Sequence, residues 1–451
     1  MLFIFFAVYY FVLLPLYAKY YSKKQDGDKN THDTIATQLT EAIKDTIPIQ
    51  KSMDTAETKT TDSVLIAQTP EQVYDTTYFF SNEKFEIGIS GRGGSIVSLK
   101  LYEYTDKYGK PVIIFGAPSM LSFSFFNNKE LIQTDHLWFK LKDVKKASDT
   151  TVVELEANLQ DTTVTLIYRY HIPPNSYKVN FEIDGKGLGT VLSQKANDSI
   201  MIVMWHVSLH TNEKSIKDER MHSGIFFKYY GEDEVNSLES TQKSSVTPVR
   251  KIQWVAVKNK FFAAAIEGLF DKSGGNFSYY YDEHDTEVVA VAECRFSLDL
   301  KEQSGFTYYF MPVKYSLLEG FDNRMEEIMS LGWAMFSWIT KYIIIPVFNF
   351  CERIGLPYFL IIIVLTLVIK ILLTPLTYRS MIATLRMKAL QPYINEINEK
   401  YRDDPVKKSQ AILELYTTSG ASPFSGCLPM LLQLPILIAM FKFFPSSIEL
   451  R

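Results

Sequence analysis

The chain has 451 residues and a mass of 51.9 kDa, a length that predicts about three domains. Its net charge of −4 is unevenly divided, because residues 1–24 carry +3, residues 25–340 carry −12 and residues 341–451 carry +5. This segregation argues against an evenly mixed soluble protein. Three scattered cysteines are too few for a disulfide framework, and a pI near 6.1 argues against nucleic acid as the main partner.

The first 75 residues predict an anchor followed by a linker. Residues 1–18 have no charge and would form about 27 Å of helix, close to the ~30 Å of a bilayer core. They lack a basic start and a cleavage site, so a retained N-terminal membrane anchor is favoured over a cleaved signal peptide. Residues 19–75 have no aromatic residue between Tyr21 and Tyr74, which predicts a disordered linker.

Residues 76–320, here called the β-domain, carry short runs in which apolar side chains alternate with polar ones, as in 164–172. Turn signals such as Pro173-Pro174-Asn175 separate these runs, and no helical crossovers lie between them. The pattern predicts a large all-β sandwich.

His206 and His210 would share one face of a strand in this domain, which permits a metal pair or an acid–base pair. No third ligand with recognisable spacing accompanies them, so a structural role is favoured. The sequence has no HExxH motif, nucleophile elbow or kinase signature, and it therefore offers no strong enzymatic hypothesis.

Three apolar segments follow the β-domain. Residues 324–353 combine helical spacing with Trp333 and Trp338, which predicts an amphipathic helix in the outer membrane interface. If this segment crossed the membrane instead, every later segment would lie on the opposite side, so the interfacial position is favoured. Transmembrane helices are predicted at 354–378 and 427–444, and basic residues just past position 378 place that end in the cytoplasm. The β-domain then faces the opposite side.

Lys370 is the single charge of the first of these spans. A lysine at the bilayer centre costs about 2.5–3.5 kcal/mol, so such residues usually face protein or water, although this side chain could instead extend to the headgroups. Thr366 lies one turn away, and Gln433 in the next span also needs a polar partner, which hydrogen bonds between helices alone could supply. Together these residues indicate a wet recess open to the cytoplasm. An apolar wall, or ordinary lipid-facing surface, would come from Leu434, Leu437 and Met440.

Residues 379–425 predict a charged cytoplasmic helical hairpin. Leu390, Ile394 and Ile397 have helical spacing, and Asp403-Asp404-Pro405 is a turn signal. The charge pattern does not distinguish a solvated spacer from a docking arm.

The second half of the chain resembles the YidC family of membrane protein insertases, which is related to the mitochondrial Oxa and chloroplast Albino types. The resemblance is carried by LTLVIKILLTPLTYRSM, MKALQPYINEINEKYRDDP, GCLPMLLQLPILIAMF and the closing SIELR. An anchor followed by a large β-domain resembles the Gram-negative form, and WVAVKNKFF at 254–262 resembles part of that domain. The implied fold is multi-domain, with a partial α-helical membrane core and a periplasmic all-β supersandwich, located in the inner membrane.

The resemblance implies a non-enzymatic insertase and chaperone without a cofactor or metal. It would insert nascent membrane proteins and help them fold through a hydrophilic groove open to cytoplasm and lipid, alone or with the Sec translocon. The ribosome and the lipid bilayer would be further partners, with no nucleic acid binding by the chain itself. Lys370 occupies the position of the groove cation, where many members have arginine, and Thr366 and Gln433 fall on groove positions. The implied hydrophobic slide comprises Leu434, Leu437 and Met440.

The family core has five spans after the soluble domain, whereas this chain stops at Arg451 after the second, with residues 445–451 beginning the remainder. We therefore expect either a fragment or a polypeptide that cannot insert proteins by itself. Two alternatives remain. One is a membrane-anchored carbohydrate-active or carbohydrate-binding β-sandwich, because the implied fold is similar to that of galactose mutarotases. The other is a structural subunit that docks ribosomes or the Sec translocon through the hairpin.

Overall fold

The part of the chain that can be described begins at residue 76. The computed structural model describes residues 76–451 except 128–129, 160–164, 187–199, 240–241, 301–303, 330, 333, 403 and 420–427. The predicted anchor at 1–18 and linker at 19–75 lie outside the described residues. The chain divides into two compact units between Met311 and Pro312. The boundaries predicted from the sequence remain predictions.

The alternating sequences of the first unit form strands, as expected, because period-two patterning places one set of side chains on each face of a strand. The strands β1 to β17 are Thr77–Ser81, Phe85–Ser90, Ile96–Thr105, Pro111–Asn127, Glu130–Gln133, Lys140–Ala147, Thr150–Asn158, Thr165–Ile172, Lys178–Lys186, Ile200–His210, Gly224–Tyr229, Val235–Glu239, Lys243–Val246, Ile252–Lys258, Phe262–Tyr280, Val288–Asp299 and Gly305–Pro312. One short helix, α1, spans Ile216–Met221.

The strands pair into two antiparallel runs that share one long strand. The first run follows the order β1-β2-β3-β4-β10-β16-β15-β13, with β5 also on β4. The second follows β6-β7-β8-β9-β17-β15-β14-β11-β12. The first half of β15 pairs with β14 and its second half with β16, so this 19-residue strand joins the two runs.

An aromatic core lies between the two runs. Phe181 of β9 stacks on Phe123 of β4 with ring centroids 6.0 Å apart, and it contacts Phe306 of β17 at 4.9 Å. Phe270 of β15 lies 4.4 Å from Phe296 of β16. All five rings are buried. The removal of their apolar surface from water contributes to the stability of the folded domain.

The second unit, here called the helical unit, is helical apart from short turns. Its α-helices are Tyr315–Glu319 (α2), Ala334–Ile339 (α3), Ile345–Arg353 (α4), Tyr358–Ala389 (α5), Gln391–Lys400 (α6), Pro405–Thr418 (α7) and Leu428–Ser446 (α8). A π-helical turn at Thr340–Ile344 joins α3 to α4, and 3₁₀ turns span Met325–Ile328 and Ile448–Leu450. Within the described part of this unit, α6 and α7 occupy the region of the predicted hairpin, where Asp404 caps α7 by accepting from Lys407 N at 3.1 Å.

The chain turns from α4 into α5 through Gly355. Its φ is +81°, a left-handed conformation that favours glycine. The amide of Gly355 donates to Glu352 O at 2.9 Å and that of Leu356 to Cys351 O at 3.2 Å, the Schellman arrangement that ends a helix. Among the described residues, only Tyr358–Pro375 is a helical segment long and apolar enough to cross a membrane, and Gln433–Ser446 is a shorter apolar one.

We predict that Phe181→Ala lowers the free energy of unfolding of the first unit by about 3–5 kcal/mol, because the cavity would lie at the centre of the aromatic core. Urea unfolding of the detergent-solubilised protein, followed by the fluorescence of buried tryptophans such as Trp254, measures the change. Phe79→Ala is the matched control. That ring is 63% exposed, so its loss should change stability by less than about 0.5 kcal/mol. Equal effects of the two substitutions would contradict the assignment of the core.

Candidate functional site

A groove of about 460 Å³ lies between α5 and α8 in the helical unit. Its lining, here called the polar groove, comprises Thr366, Ile369, Lys370, Leu373, Thr374 and Thr377 of α5 with Gln433, Ile436, Leu437 and Met440 of α8. Five of the six predicted site residues therefore lie in one groove. The exception is Leu434, which is not among the lining residues and is 47% exposed.

Helical periodicity explains why α5 presents this face. The six lining positions recur at intervals of three or four residues, which places them on one side of a helix. Intervening positions carry only apolar side chains, and Ile363, Leu367 and Ile371 are half or more exposed. The helix thus has a polar groove face and an apolar outer face, the arrangement suited to a helix between water and lipid.

Of the described residues that line this groove, only Lys370 carries a charge. No carboxylate lines the groove among the described residues, and none of their ion pairs involves Lys370. Its position, twelve residues after Tyr358, is about 18 Å along the helix axis. A helix that enters a ~30 Å bilayer core at Tyr358 would therefore carry this ammonium slightly beyond the midplane.

The threonines of the groove use their hydroxyl donors on their own helix. Thr366 Oγ1 donates to Ile362 O at 2.8 Å, Thr374 Oγ1 to Lys370 O at 2.7 Å, and Thr377 Oγ1 to Leu373 O at 3.1 Å. A hydroxyl that has used its proton in this way keeps its lone pairs. The threonines therefore offer hydrogen-bond acceptors beside a cationic donor.

Sequence reasoning missed Thr374 and Thr377 as groove residues. Their signal was available, because they follow Lys370 by four and seven residues and so share its helix face. It also missed the apolar lining residues Ile369, Leu373 and Ile436. Their amino-acid types, isoleucine and leucine, are equally common at positions that face lipid, so the sequence gives no signal for them.

The histidines of the β-domain do not form a recognisable metal centre in the described residues, which hold no group of three or more metal-ligating side chains. His206 Nδ1 instead lies 3.4 Å from Glu293 Oε1, and this contact lowers the pKa of Glu293. The Tyr280 hydroxyl donates to the same carboxylate at 3.2 Å. His210 packs over Gly116, and its burial lowers its pKa.

Two protein-family models match the chain. One, described as "YidC periplasmic domain", matches residues 78–346, and the other, described as "60Kd inner membrane protein", matches residues 349–451. The membrane protein insertase YidC of Parabacteroides distasonis is 33% identical over 82% of this chain and 60% of its own length. That of Bacteroides fragilis is 30% identical over 90% of this chain and 69% of its own length. The chain belongs to the YidC family of membrane protein insertases.

The YidC family assignment confirms several expectations. They are the all-β periplasmic domain followed by a helical membrane region and the inner-membrane location. The chain spans about 60% of the length of the first of these YidC relatives. A crystal structure of an active YidC insertase is 16% identical, covers 83% of this chain and 72% of its own, and has a TM-score of 0.27, which is too low to compare the arrangement of helices.

We predict that cysteines at Thr374 and Thr377 react with a membrane-impermeant maleimide added from the cytoplasmic side, because their positions line the polar groove. A cysteine at Ile371 is the matched control, since that side chain is 70% exposed on the apolar face and should meet lipid. Labelling rates in inverted membrane vesicles measure the difference, which we expect to be about tenfold. Equal rates at the three positions would show that the groove holds no water.

Proposed function

We propose that this chain supplies the client groove of an insertase that transfers nascent membrane proteins from the cytoplasm into the inner membrane and assists their folding. Family membership supports this activity. The observation that carries the mechanism is the polar groove, whose described lining residues supply one ammonium group and no carboxylate. We assign residues 354–378 and 427–444 to the membrane and residues 379–425 to a cytoplasmic hairpin.

Electrostatics gives Lys370 its role in this proposal. Two unit charges 4 Å apart attract by about 4 kcal/mol at an effective dielectric constant of 20, against about 1 kcal/mol in bulk water. An acidic side chain in the short extracytoplasmic tail of a nascent protein would be drawn into the groove by this attraction. Water in the groove lowers the cost of carrying the polar tail into the bilayer.

The threonine hydroxyl oxygens near Lys370 could bind the backbone of a client polypeptide. Thr366, Thr374 and Thr377 keep hydroxyl lone pairs, which can accept backbone N–H groups of an extended segment. The apolar part of the client would leave sideways along α8, where Leu437 and Met440 line the groove. Leu434, 47% exposed beside it, would continue this slide into lipid.

The predicted interfacial helix has an exposed apolar stripe that supports its placement on the membrane surface. Met335, Trp338, Tyr342 and Phe350 are each more than half exposed and recur at helical spacing along α3, the π-helical turn and α4. The opposite side is also apolar and is buried within the helical unit, including Ile344 and Phe348. A helix with two apolar sides is suited to lie between protein and lipid. We propose that residues 324–353 lie in the outer leaflet interface.

We also propose the Sec translocon and the ribosome as partners of this chain. The hairpin helices α6 and α7 expose Tyr393, Val406 and Leu413 to solvent, which supports a docking role over a purely solvated spacer.

We predict that Lys370→Leu, introduced into the gene that encodes this chain, lowers the insertion of a client with an acidic tail by about tenfold, because the attraction on that tail is lost. Lys370→Arg should retain most of the activity, since it keeps the charge. Protease protection of the client tail in cells measures insertion. Lys388→Leu is the matched control, since it removes a charge from the same helix outside the groove.

Wild-type insertion by Lys370→Leu would overturn the electrostatic mechanism. Loss of insertion on deletion of the hairpin, with no effect of Lys370→Leu, would instead favour the docking subunit. A client whose tail acids are replaced by amides should lose its dependence on Lys370.

We also predict that the fluorescence of Trp338 is quenched by brominated lipid in reconstituted vesicles, because its side chain is 57% exposed on the apolar stripe. The contribution of Trp338 is the fluorescence quenched by brominated lipid in the parent protein minus that quenched in its Trp338→Phe variant. Trp254, which is fully buried in the β-domain, supplies the unquenched reference. No loss of quenching in Trp338→Phe would contradict the interfacial placement.

A further inference from the structure

An ion-pair cluster lies at one end of the two groove helices. Lys314 Nζ lies 2.9 Å from Glu352 Oε1 and 3.9 Å from Glu449 Oε1. Glu352 belongs to the last turn of α4, directly before the turn into α5, and Glu449 follows the end of α8. One ammonium group therefore contacts the segments that adjoin the ends of both groove helices.

The contacts of Glu449 hold it in place within the helical unit. The side chain of Glu449 is only 9% exposed, and its Oε2 accepts from Ser447 Oγ at 2.6 Å. Ser447 itself is fully buried. Burial disfavours a carboxylate that lacks a countercharge, so the ammonium of Lys314 contributes to the stability of this arrangement.

An aromatic layer lies between this cluster and the groove. The ring of Phe348 in α4 stacks 6.2 Å from Tyr358, the first residue of α5, and meets Phe443 near the end of α8 edge-on at 5.6 Å. Phe348 is 1% exposed. Ile361 of α5, which lies between this layer and Thr366, is fully buried. The helices are thus tightly packed at this end, whereas the groove opens from Thr366 onward.

Lys314 identifies the side of the membrane on which this end lies. It falls within residues 78–346, which match the periplasmic domain of the family. The packed end of the helices therefore faces the periplasm, and the polar groove lies on the cytoplasmic side of the aromatic layer.

We propose that Lys314 is a positioning residue that closes the outer end of the groove. Its pairs with Glu352 and Glu449 hold α4 against the ends of α5 and α8, so that Phe348 stays inserted between them and separates groove water from the periplasm. This inference rests on the proposed function, because it gives the closure a purpose: clients enter from the cytoplasm without opening a path across the membrane. Loss of the ammonium would remove a countercharge from the buried Glu449 and would favour entry of water.

The test uses a cysteine at Thr366, the first lining residue of α5 after the aromatic layer. A membrane-impermeant maleimide is added to spheroplasts, so that it reaches the protein from the periplasm only, and the rate is compared with that of the protein lacking the added cysteine. We expect Lys314→Met and Glu449→Gln each to raise the labelling rate by about tenfold, and Lys314→Arg to leave it near the parent rate.

Lys341→Met is the matched control. It also removes a lysine–glutamate pair from the helical unit, since Lys341 Nζ lies 2.9 Å from Glu327 Oε1, but it leaves the Lys314 cluster intact. We expect no change in labelling for this variant. Cytoplasmic-side labelling of a cysteine at Thr377 shows whether each variant retains its groove.

Parent-level labelling in both Lys314→Met and Glu449→Gln would overturn the proposal, as would an equal increase in Lys341→Met. An increase in which Lys314→Arg equals Lys314→Met would also overturn it, because the charge would then be irrelevant. These readouts need no insertion activity. A failure of the Lys370 experiment is therefore distinguishable from a failure of this one.

Discussion

One physical constraint organises the helical unit: an ammonium group on an apolar helix must have water or a polar partner beside it. Lys370 has no ion-pair partner among the described residues, and it lines a groove that contains hydroxyl and amide groups. A dry position would cost several kcal/mol, so the groove and its cation depend on each other. The apolar outer face of the same helix follows from the opposite requirement, since it must meet lipid.

The two ends of the groove helices have different chemistry for the same reason. At the end that we propose faces the periplasm, α5 and α8 are packed by buried aromatic and aliphatic side chains such as Phe348 and Ile361. Further along α5, threonines and Lys370 take the place of these side chains and line the groove. A groove that is wet on one side only can receive a polar segment without becoming a channel. The β-domain, in contrast, is stabilised by an aromatic core between two sheets, and the described residues give it no comparable metal or acid–base centre.

Much of the candidate site was predictable, because polar residues within an apolar segment are conspicuous. Lys370, Thr366 and Gln433 stand out in this way, and all three line the groove. Thr374 and Thr377 were missed because they lie near the predicted membrane boundary, where a hydroxyl needs no special explanation. Leu434 was chosen with Leu437 and Met440 on helical spacing. Spacing on one helix gives relative directions, but the absolute direction depends on the neighbouring helix, and here it leaves Leu434 outside the lining.

The sequence by itself determined the properties that depend on local order. These are the strand-forming alternation of the β-domain, the apolar length of the predicted spans and the position of Lys370 as the one charge within the first of them. Tertiary structure alone decided the long-range partners. β15 joins the two sheet runs because its halves pair with different strands, a choice that no local pattern encodes. Lys314 meets Glu449 far along the chain, although both would pass for ordinary surface charges. Periodicity reports which side of an element is apolar, whereas the partner of a charge depends on which elements pack together, and only the folded chain specifies that.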